Sequence, residues 1–343
     1  MNKGRISKTN LLIGSALVAV MLYGCGGGDD KKASTTNGAT KSTASSASSS
    51  KQKSGSSAEN LDKKLGVYIK CYNSSRRIDN SINRYTGWVK DMEQGPTGKE
   101  RNVYGLYSVD LKGITECKTK ITDVAALAPV TDLDKAAVAF ANDAETVGKL
   151  IDELYSYYDQ KDYKDDEFKK GKELHTPFAS SAKQYLISAN TFAALIDVEN
   201  DKRQVEQLAE IEKQQGKNAN YYRLSIMVQS KKIANLLYQD NFSVDQAKEL
   251  IDQYSKTVDA ASDYYDDPNN KDAMKKLGMM TDSKLRSVIS AAKDFNKLAK
   301  ERYRGVRDNK PVRSSNPSTA KHTTGTVQNV QAKYNDLVNT FNR

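Results

Sequence analysis

Tyr155 to Phe178 reads YSYYDQKDYKDDEFKKGKELHTPF. One amphipathic segment ends in this stretch and the longest in the chain begins in it. Upstream, Leu133, Ala137, Phe140, Ala144, Val147, Ile151, Leu154 and Tyr158 recur at helical spacing, with Thr131 or Asp132 placed to cap them. Downstream, Phe168, His175, Phe178, Ala182, Tyr185, Ala189, Phe192 and Ile196 hold a second phase. That phase runs through Pro177, which predicts a kinked helix rather than a break. Its polar continuation to Gln215 would make a helix of about 50 residues, roughly 75 Å long. Asp162 can cap this helix, and Asp165, Asp166 and Glu167 would set negative charge in its first turn, where the helix dipole favours it. Two long helices joined by a short turn predict an all-α fold, an elongated multi-helix bundle.

The pattern extends outward in both directions. Leu61 to about Glu93 reads as one helix, with Leu65, Tyr68, Ile69, Tyr72, Ile82, Tyr85, Val89 and Met92 mostly on one face. Gln94-Gly95-Pro96-Thr97-Gly98 ends it; the stretch is too short for a phosphate-binding loop and reads as a turn. Val103 to Tyr107 suits a short extended piece, and Leu111 to Val124 a helix ended by Pro129. Beyond Gly216-Lys217-Asn218, helices are expected over Asn220–Tyr238, Phe242–Tyr265, from Asp282 or Ser283 to Tyr303, and over Val327–Phe341. The sequence holds 19 tyrosines against 7 phenylalanines. A phenol buries its ring but wants a partner for its hydroxyl, which fits a thin bundle whose core lies near water, or a glycan- or peptide-binding groove.

The first 60 residues differ in character. Lys3, Arg5 and Lys8 precede an apolar run of twelve residues, Leu11 to Leu22, too short to span a bilayer comfortably. The run leads into Leu22-Tyr23-Gly24-Cys25, which resembles a bacterial lipobox, although Tyr23 is bulkier than that pattern usually has. The resemblance implies a signal peptide over 1–24, cleavage before Cys25, and lipidation of that cysteine, palmitate-type acyl chains included. More than one acyl chain is what stable anchoring requires. An ordinary signal peptide with a chance cysteine is the plain alternative. Gly26 stands where an aspartate would retain a sorted lipoprotein at the inner membrane, so the same resemblance favours the outer membrane, with the body facing the periplasm. Residues 25–60 carry Gly, Ser, Thr, Ala and Lys with almost no apolar bulk. They read as a disordered tether of about 30 Å root-mean-square span, followed by a single all-helical domain over 61–343.

The formal charge is +10, and residues 1–60 supply half of it. Residues 301–325 hold six basic and two acidic residues, which leaves the rest of the body near neutral. That distribution argues against nucleic acid as a partner, because affinity there comes from clustered phosphate contacts. The expected partners are the membrane, through Cys25, and an envelope component or glycan.

After lipidation only Cys71 and Cys117 remain. In an exported chain an even pair is most simply a disulfide, and two separately buried thiols are the alternative. The two histidines, His175 and His322, lie far apart, and no zinc-protease helix, nucleophile elbow, Walker loop or dinucleotide fingerprint occurs. No cofactor or metal site and no catalytic residue is therefore expected. The acidic cluster at 159–167 lacks the glycine and alternating spacing of a calcium loop. His175 falls on the apolar face and suits a hydrogen-bonded core histidine better than a ligand. The candidate surface is thus Tyr158, Tyr163, Asp165, Asp166 and His175.

These residues together resemble the YiiG family of lipoproteins, built on a domain of unknown function. The resemblance runs through Val67-Tyr-Ile-Lys-Cys-Tyr-Asn73, Trp88-Val-Lys-Asp91, Gln94-Gly-Pro-Thr-Gly98 and Tyr104-Gly105. It continues through Tyr157-Tyr158, Tyr163-Lys-Asp-Asp166, Lys170-Gly-Lys172, Leu174-His175, Asn200-Asp-Lys-Arg-Gln204, Gly216-Lys217, Tyr221-Tyr222 and Arg304 to Pro311. It implies a lipid-anchored, all-helical protein and carries over no activity. The expected function is a lipid-anchored envelope protein acting as a non-enzymatic binding or structural module. An enzyme acting on an envelope polymer through carboxylates of 155–178 is the alternative.

Overall fold

A computed structural model describes residues 56–276, 283–314 and 316–343. The signal peptide, Cys25 and nearly all of the expected tether lie outside them. Among the described residues there are helices and no strands.

Helix α1 (Ser57–Ser74) begins inside the stretch read as tether. Ser56 and Glu59 form a reciprocal capping box, each side chain bonding the other's backbone N–H at 3.2 and 2.8 Å. The expected helix over 61–93 is two: α1 and α2 (Arg76–Trp88). The break at Ser75 has a local cause. The Ser74 and Ser75 hydroxyls bond back to the carbonyls of Cys71 and Tyr72, each at 2.8 Å, and ψ opens to −8°. Residues 89–110 then run without regular structure to α3 (Leu111–Ala125).

Helices α4 (Asp132–Gln160) and α5 (Lys169–Gln215) carry the two expected phases. At 47 residues, α5 is about 70 Å long and keeps Pro177 inside it. Its first half closes a core with α1–α4 that runs from Leu65 to Ile196. A second core, from Ala219 to Phe341, lies among α6 (Ala219–Leu237), α7 (Val244–Asp266), α8 (Lys271–Lys276), α9 (Ser283–Arg307) and α11 (Val327–Phe341). The four-residue α10 (Pro317–Ala320) precedes α11.

Charged side chains pin the places where apolar packing ends. Lys231 on α6 reaches Asp197 and Asp201 on α5 at 2.6 and 2.5 Å. Arg203 on α5 meets Asp62 of α1 through two parallel bonds, 2.8 and 3.0 Å, and also Glu210. Two buried arginines close helix C-termini. Arg302 donates to Leu237 O and Gln239 O, and Arg223 donates to Phe341 O while lying over its ring. Burial lowers the pKa of both guanidiniums.

Candidate functional site

The turn between α4 and α5 is built from left-handed backbone rather than from a capped helix start. Lys161 caps α4 at φ 65°, Asp162–Lys164 makes one 3-10 turn, and Glu167 and Phe168 sit at φ 54° and 65°. Helix α5 therefore begins at Lys169, after the acidic cluster, and its first turn holds no acid. The expected cap, Asp162, is exposed and takes no side-chain hydrogen bond among the described residues. Asp166 does the work instead. Its Oδ1 accepts from the Tyr157 hydroxyl at 2.7 Å and its Oδ2 from the Lys170 N–H at 2.9 Å, so one carboxylate joins the end of α4 to the start of α5. Desolvation opposes ionisation of Asp166, but the bonds from Tyr157 and from the backbone of Lys170, Phe168 and Lys169 outweigh it and hold its pKa below the ordinary value. Burial, then the bond to Asp166, pushes the Tyr157 phenol up.

Tyr158, expected at the surface, is 5% exposed. Its ring lies in an aromatic nest, edge-on to Trp88 at 5.1 Å and to Tyr157 at 4.9 Å, with Tyr163 and Phe168 beyond. Helical spacing points it inward; its place beside a polar turn had suggested otherwise. Gly171 is what admits it, since a Cβ there would stand 2.7 Å from the Tyr158 hydroxyl oxygen. Burial raises the Tyr158 pKa strongly.

His175 is the core histidine that its position on the apolar face suggests. Nε2 faces Met92 O at 3.2 Å and Nδ1 faces the Tyr85 hydroxyl at 3.0 Å. A carbonyl can only accept, so these partners assign the proton to Nε2 and leave Nδ1 to accept from Tyr85. Gly95, at φ 79°, lets the 92–98 turn lie against the imidazole, where a Cβ would come within 2.6 Å of Cδ2. Trp88 Nε1 holds Gly105 O at 2.9 Å. The irregular 89–110 segment is thus fastened across the nest at Met92 and Gly105, with Gly95 packed against the imidazole.

Of the five candidates, Tyr158, Tyr163 and His175 belong to this nest or its margin, and Asp166 is tied to it through Tyr157. Asp165 stands apart, exposed and without a side-chain hydrogen bond or ion pair among the described residues. The stretch is a packed joint with a polar rim. Its chemistry holds two helices and a loop in register. No group of three or more His, Cys, Asp or Glu residues is arranged to hold a metal ion among the described residues. None of the described helices is long and apolar enough to cross a membrane.

Two more features tie the first core together, a pairing that the sequence suggested and a clamp that it did not. Cys71 and Cys117 form a disulfide between α1 and α3, their Cα atoms 5.6 Å apart. On α2, Arg77, Ser81 and Arg84 share a face and grip residues 104–108. Arg84 Nε donates to Tyr104 O at 2.7 Å, and Arg77 Nε to Ser108 O at 2.9 Å. Between them the buried Ser81 hydroxyl donates to Tyr107 O at 3.0 Å and accepts from Tyr107 N–H. Both guanidiniums lie over the Tyr107 ring, 4.7 and 4.4 Å from its centroid. The signal available in the sequence was the run of uniformly basic and amide residues on the outer face of RRIDNSINR.

Comparison with known proteins identifies the family. The family model described as a protein of unknown function, DUF3829, matches residues 59–343, nearly the whole of the described body. The uncharacterized protein YiiG of Escherichia coli (strain K12) is 36% identical over 253 residues, covering 73% of this chain and 68% of that relative. No solved structure matches. A match over the full helical body, with identity at this level across most of both chains, places the chain in the DUF3829 family alongside YiiG.

Proposed function

We propose that the protein is a lipid-anchored envelope protein, held at the outer membrane through acylated Cys25 and facing the periplasm, and that its helical body is a binding or structural module rather than an enzyme. The observation that carries this reading is the Cys71–Cys117 disulfide. Such bonds persist in oxidising compartments and are rare in the cytosol. The disulfide in the body and the basic, short-apolar, cysteine-ended leader argue independently for export. The non-enzymatic part is supported by the employment of Asp166 and His175. Both carboxylate oxygens and both ring nitrogens already have protein partners that hold the joint together.

Metabolic labelling with a fatty-acid probe tests the anchor. Label should enter the wild-type protein, and Cys25→Ser should take none and accumulate as unprocessed precursor. Label on the Cys25→Ser protein would overturn the assignment.

A further inference from the structure

Helix α9 sorts its charges by face. Leu285, Val288, Ala292, Phe295 and Ala299 are buried and set its inward side. Arg286, Lys293, Lys297, Lys300, Arg304 and Arg307 recur along it at helical spacing, Lys300 half-buried and the others exposed. At 3.6 residues per turn they fall within an arc of about 80° and form a line about 32 Å long. No acid of α9 lies in that arc; Asp294 and Glu301 stand to one side of it. From Lys293 onward the members are three or four residues apart, so like charges face each other, which destabilises a helix. Two members have acids to offset this, Arg304 with Glu301 at 2.8 Å and Arg307 with Asp308 at 2.7 Å. The side chains of Arg286, Lys293, Lys297 and Lys300 make no hydrogen bond and no ion pair among the described residues.

The neighbouring helix adds to the line. On α7 the Asp252 carboxylate accepts from Lys248 at 2.7 Å. That bond, and then the charges of Lys248, Lys300 and Lys256, outweigh desolvation and hold the Asp252 pKa below its ordinary value. Three ammonium groups thus stand around one carboxylate where α7 meets the line. The other exposed acids of α7, Asp245, Glu249, Asp259, Asp263 and Asp266, make no ion pair with α9 among the described residues. Outside residues 301–325 the body carries little net charge, so helix geometry rather than composition gathers these cations.

A straight line of cations on a convex helix suits an extended anionic surface; a small ligand would want a concave site. Four to eight Lys or Arg on one amphipathic helix are the pattern that docks on anionic phospholipid. Such a surface is also the one kept within reach. By composition the stretch from Cys25 to Ser56 spans about 30 Å root-mean-square, and tethering raises the effective concentration of the leaflet around the body. We propose that the basic line of α9, with Lys248 and Lys256 of α7, is a docking face for the anionic phospholipid leaflet that holds the anchor. The acyl chains hold the protein and this contact orients its body. The proposal rests on the lipid-anchored reading for where the face meets its leaflet.

The test adds full-length protein, expressed with its leader and held in detergent, to preformed vesicles of phosphatidylcholine, alone or with phosphatidylglycerol. Flotation with phosphatidylcholine alone reports the anchor. Acetylation by a membrane-impermeant amine reagent, read by mass spectrometry, reports the docking. Lys293, Lys297 and Lys300 should label at least fivefold more slowly on the phosphatidylglycerol vesicles, while the exposed Lys112 of α3 labels alike on both. Salt at about 1 M, where the Debye length is about 3 Å, should remove the protection. Each basic residue at the surface is worth about fivefold in the docked population. Lys293→Gln with Lys297→Gln should therefore restore Lys300 labelling, with an unchanged melting curve because both lysines are exposed. Equal labelling on the two vesicles would overturn the proposal. So would protection that survives salt or the double variant, equal protection of Lys112, or protection by soluble polygalacturonate with none on phosphatidylglycerol. Protein that floats only with phosphatidylglycerol keeps the docking face and overturns the anchor.

Discussion

Lys64 and Asp134 are the sharpest place to test the account of what holds the first core together. Both are buried, 3% and 2% exposed, and their ion pair spans 2.9 Å between α1 and the first turn of α4. Lys64 Nζ also donates to Pro129 O at 2.7 Å. The Asp134 carboxylate accepts from the Tyr68 hydroxyl, from Thr131 N–H and from Thr131 Oγ. Desolvation opposes its ionisation, but these donors and Lys64 outweigh it and keep its pKa low. Breaking a buried pair by removing one partner costs about 3–5 kcal/mol, because a charge is left unpaired. The two ends differ in what remains. After Lys64→Met, Asp134 keeps Tyr68 and Thr131, so the cost should lie near the low end, about 3 kcal/mol. After Asp134→Leu, Lys64 keeps only Pro129 O and the Tyr68 hydroxyl loses its acceptor, so the cost should be larger, about 5 kcal/mol. The double variant removes both charges and should lose less than the Asp134→Leu single, since only the hydroxyl and backbone groups are then left unsatisfied. Urea unfolding at pH 7 with a common m-value gives all three numbers. Strict additivity, with the double variant as unstable as the two singles combined, would refute the claim that the charges compensate each other.

Two further outcomes follow from named contacts. Replacing both cysteines with alanine should cost about 4 kcal/mol on the chain-entropy estimate for a loop of 46 residues; two alkylatable thiols in periplasmic wild-type protein, measured by mass, would reject the bridge. Burial raises the Asp79 pKa against the Tyr185 hydrogen bond and the Arg76 charge. A folded state that holds this proton more tightly than the unfolded chain loses stability as pH rises above the ordinary value of 3.8, and the full cost is present at neutral pH. Asp79→Asn, which still offers Tyr185 an acceptor, should therefore raise the urea midpoint at pH 7 and lose that advantage below about pH 4; a lower midpoint at pH 7 would contradict it.

The elements that sequence reasoning recovered are those whose signal is repetitive and needs no partner. The apolar phases of 133–158 and 168–196 are long enough to specify α4 and α5 from spacing alone, Pro177 included. The break at Ser75 is different. The apolar phase from Leu65 to Tyr85 runs straight across it, and what ends α1 is a pair of hydroxyls bonding backwards, one of which also accepts from Tyr185 on a distant helix. The turn at 160–169 shows the same limit. A run of acids before a helix is legible as a capping signal, but three left-handed residues decide where the helix starts, and that selects Asp166 over Asp162. The Arg77–Tyr107–Arg84 stack was half legible, since its helix face could be seen and the segment it grips could not.

The tyrosines carry that distinction furthest. Their number alone suggested a core near water, but what they do depends on partners the local sequence cannot reveal. In the first core four buried phenols meet an acid or the histidine, in three cases far along the chain: Tyr68 with Asp134, Tyr85 with His175, Tyr185 with Asp79, Tyr157 with Asp166, whereas the Tyr158 hydroxyl is buried without a protein partner. In the second, the hydroxyls of Tyr254 and Tyr334 are buried without a protein partner. A buried hydroxyl that is bonded fixes the geometry of its neighbours, whereas an unbonded one only adds to the cost of burial. The first core should therefore tolerate Tyr→Phe poorly at positions 68 and 185, where a carboxylate oxygen would lose the hydroxyl that donates to it. The second should accept Tyr254→Phe with little loss or a small gain. The phenols bonded to an acid or the histidine thus lie on α1, α2, α4 and the first half of α5. That is the same half of the molecule on which the 89–110 segment is fastened and on which Arg77 and Arg84 face outward.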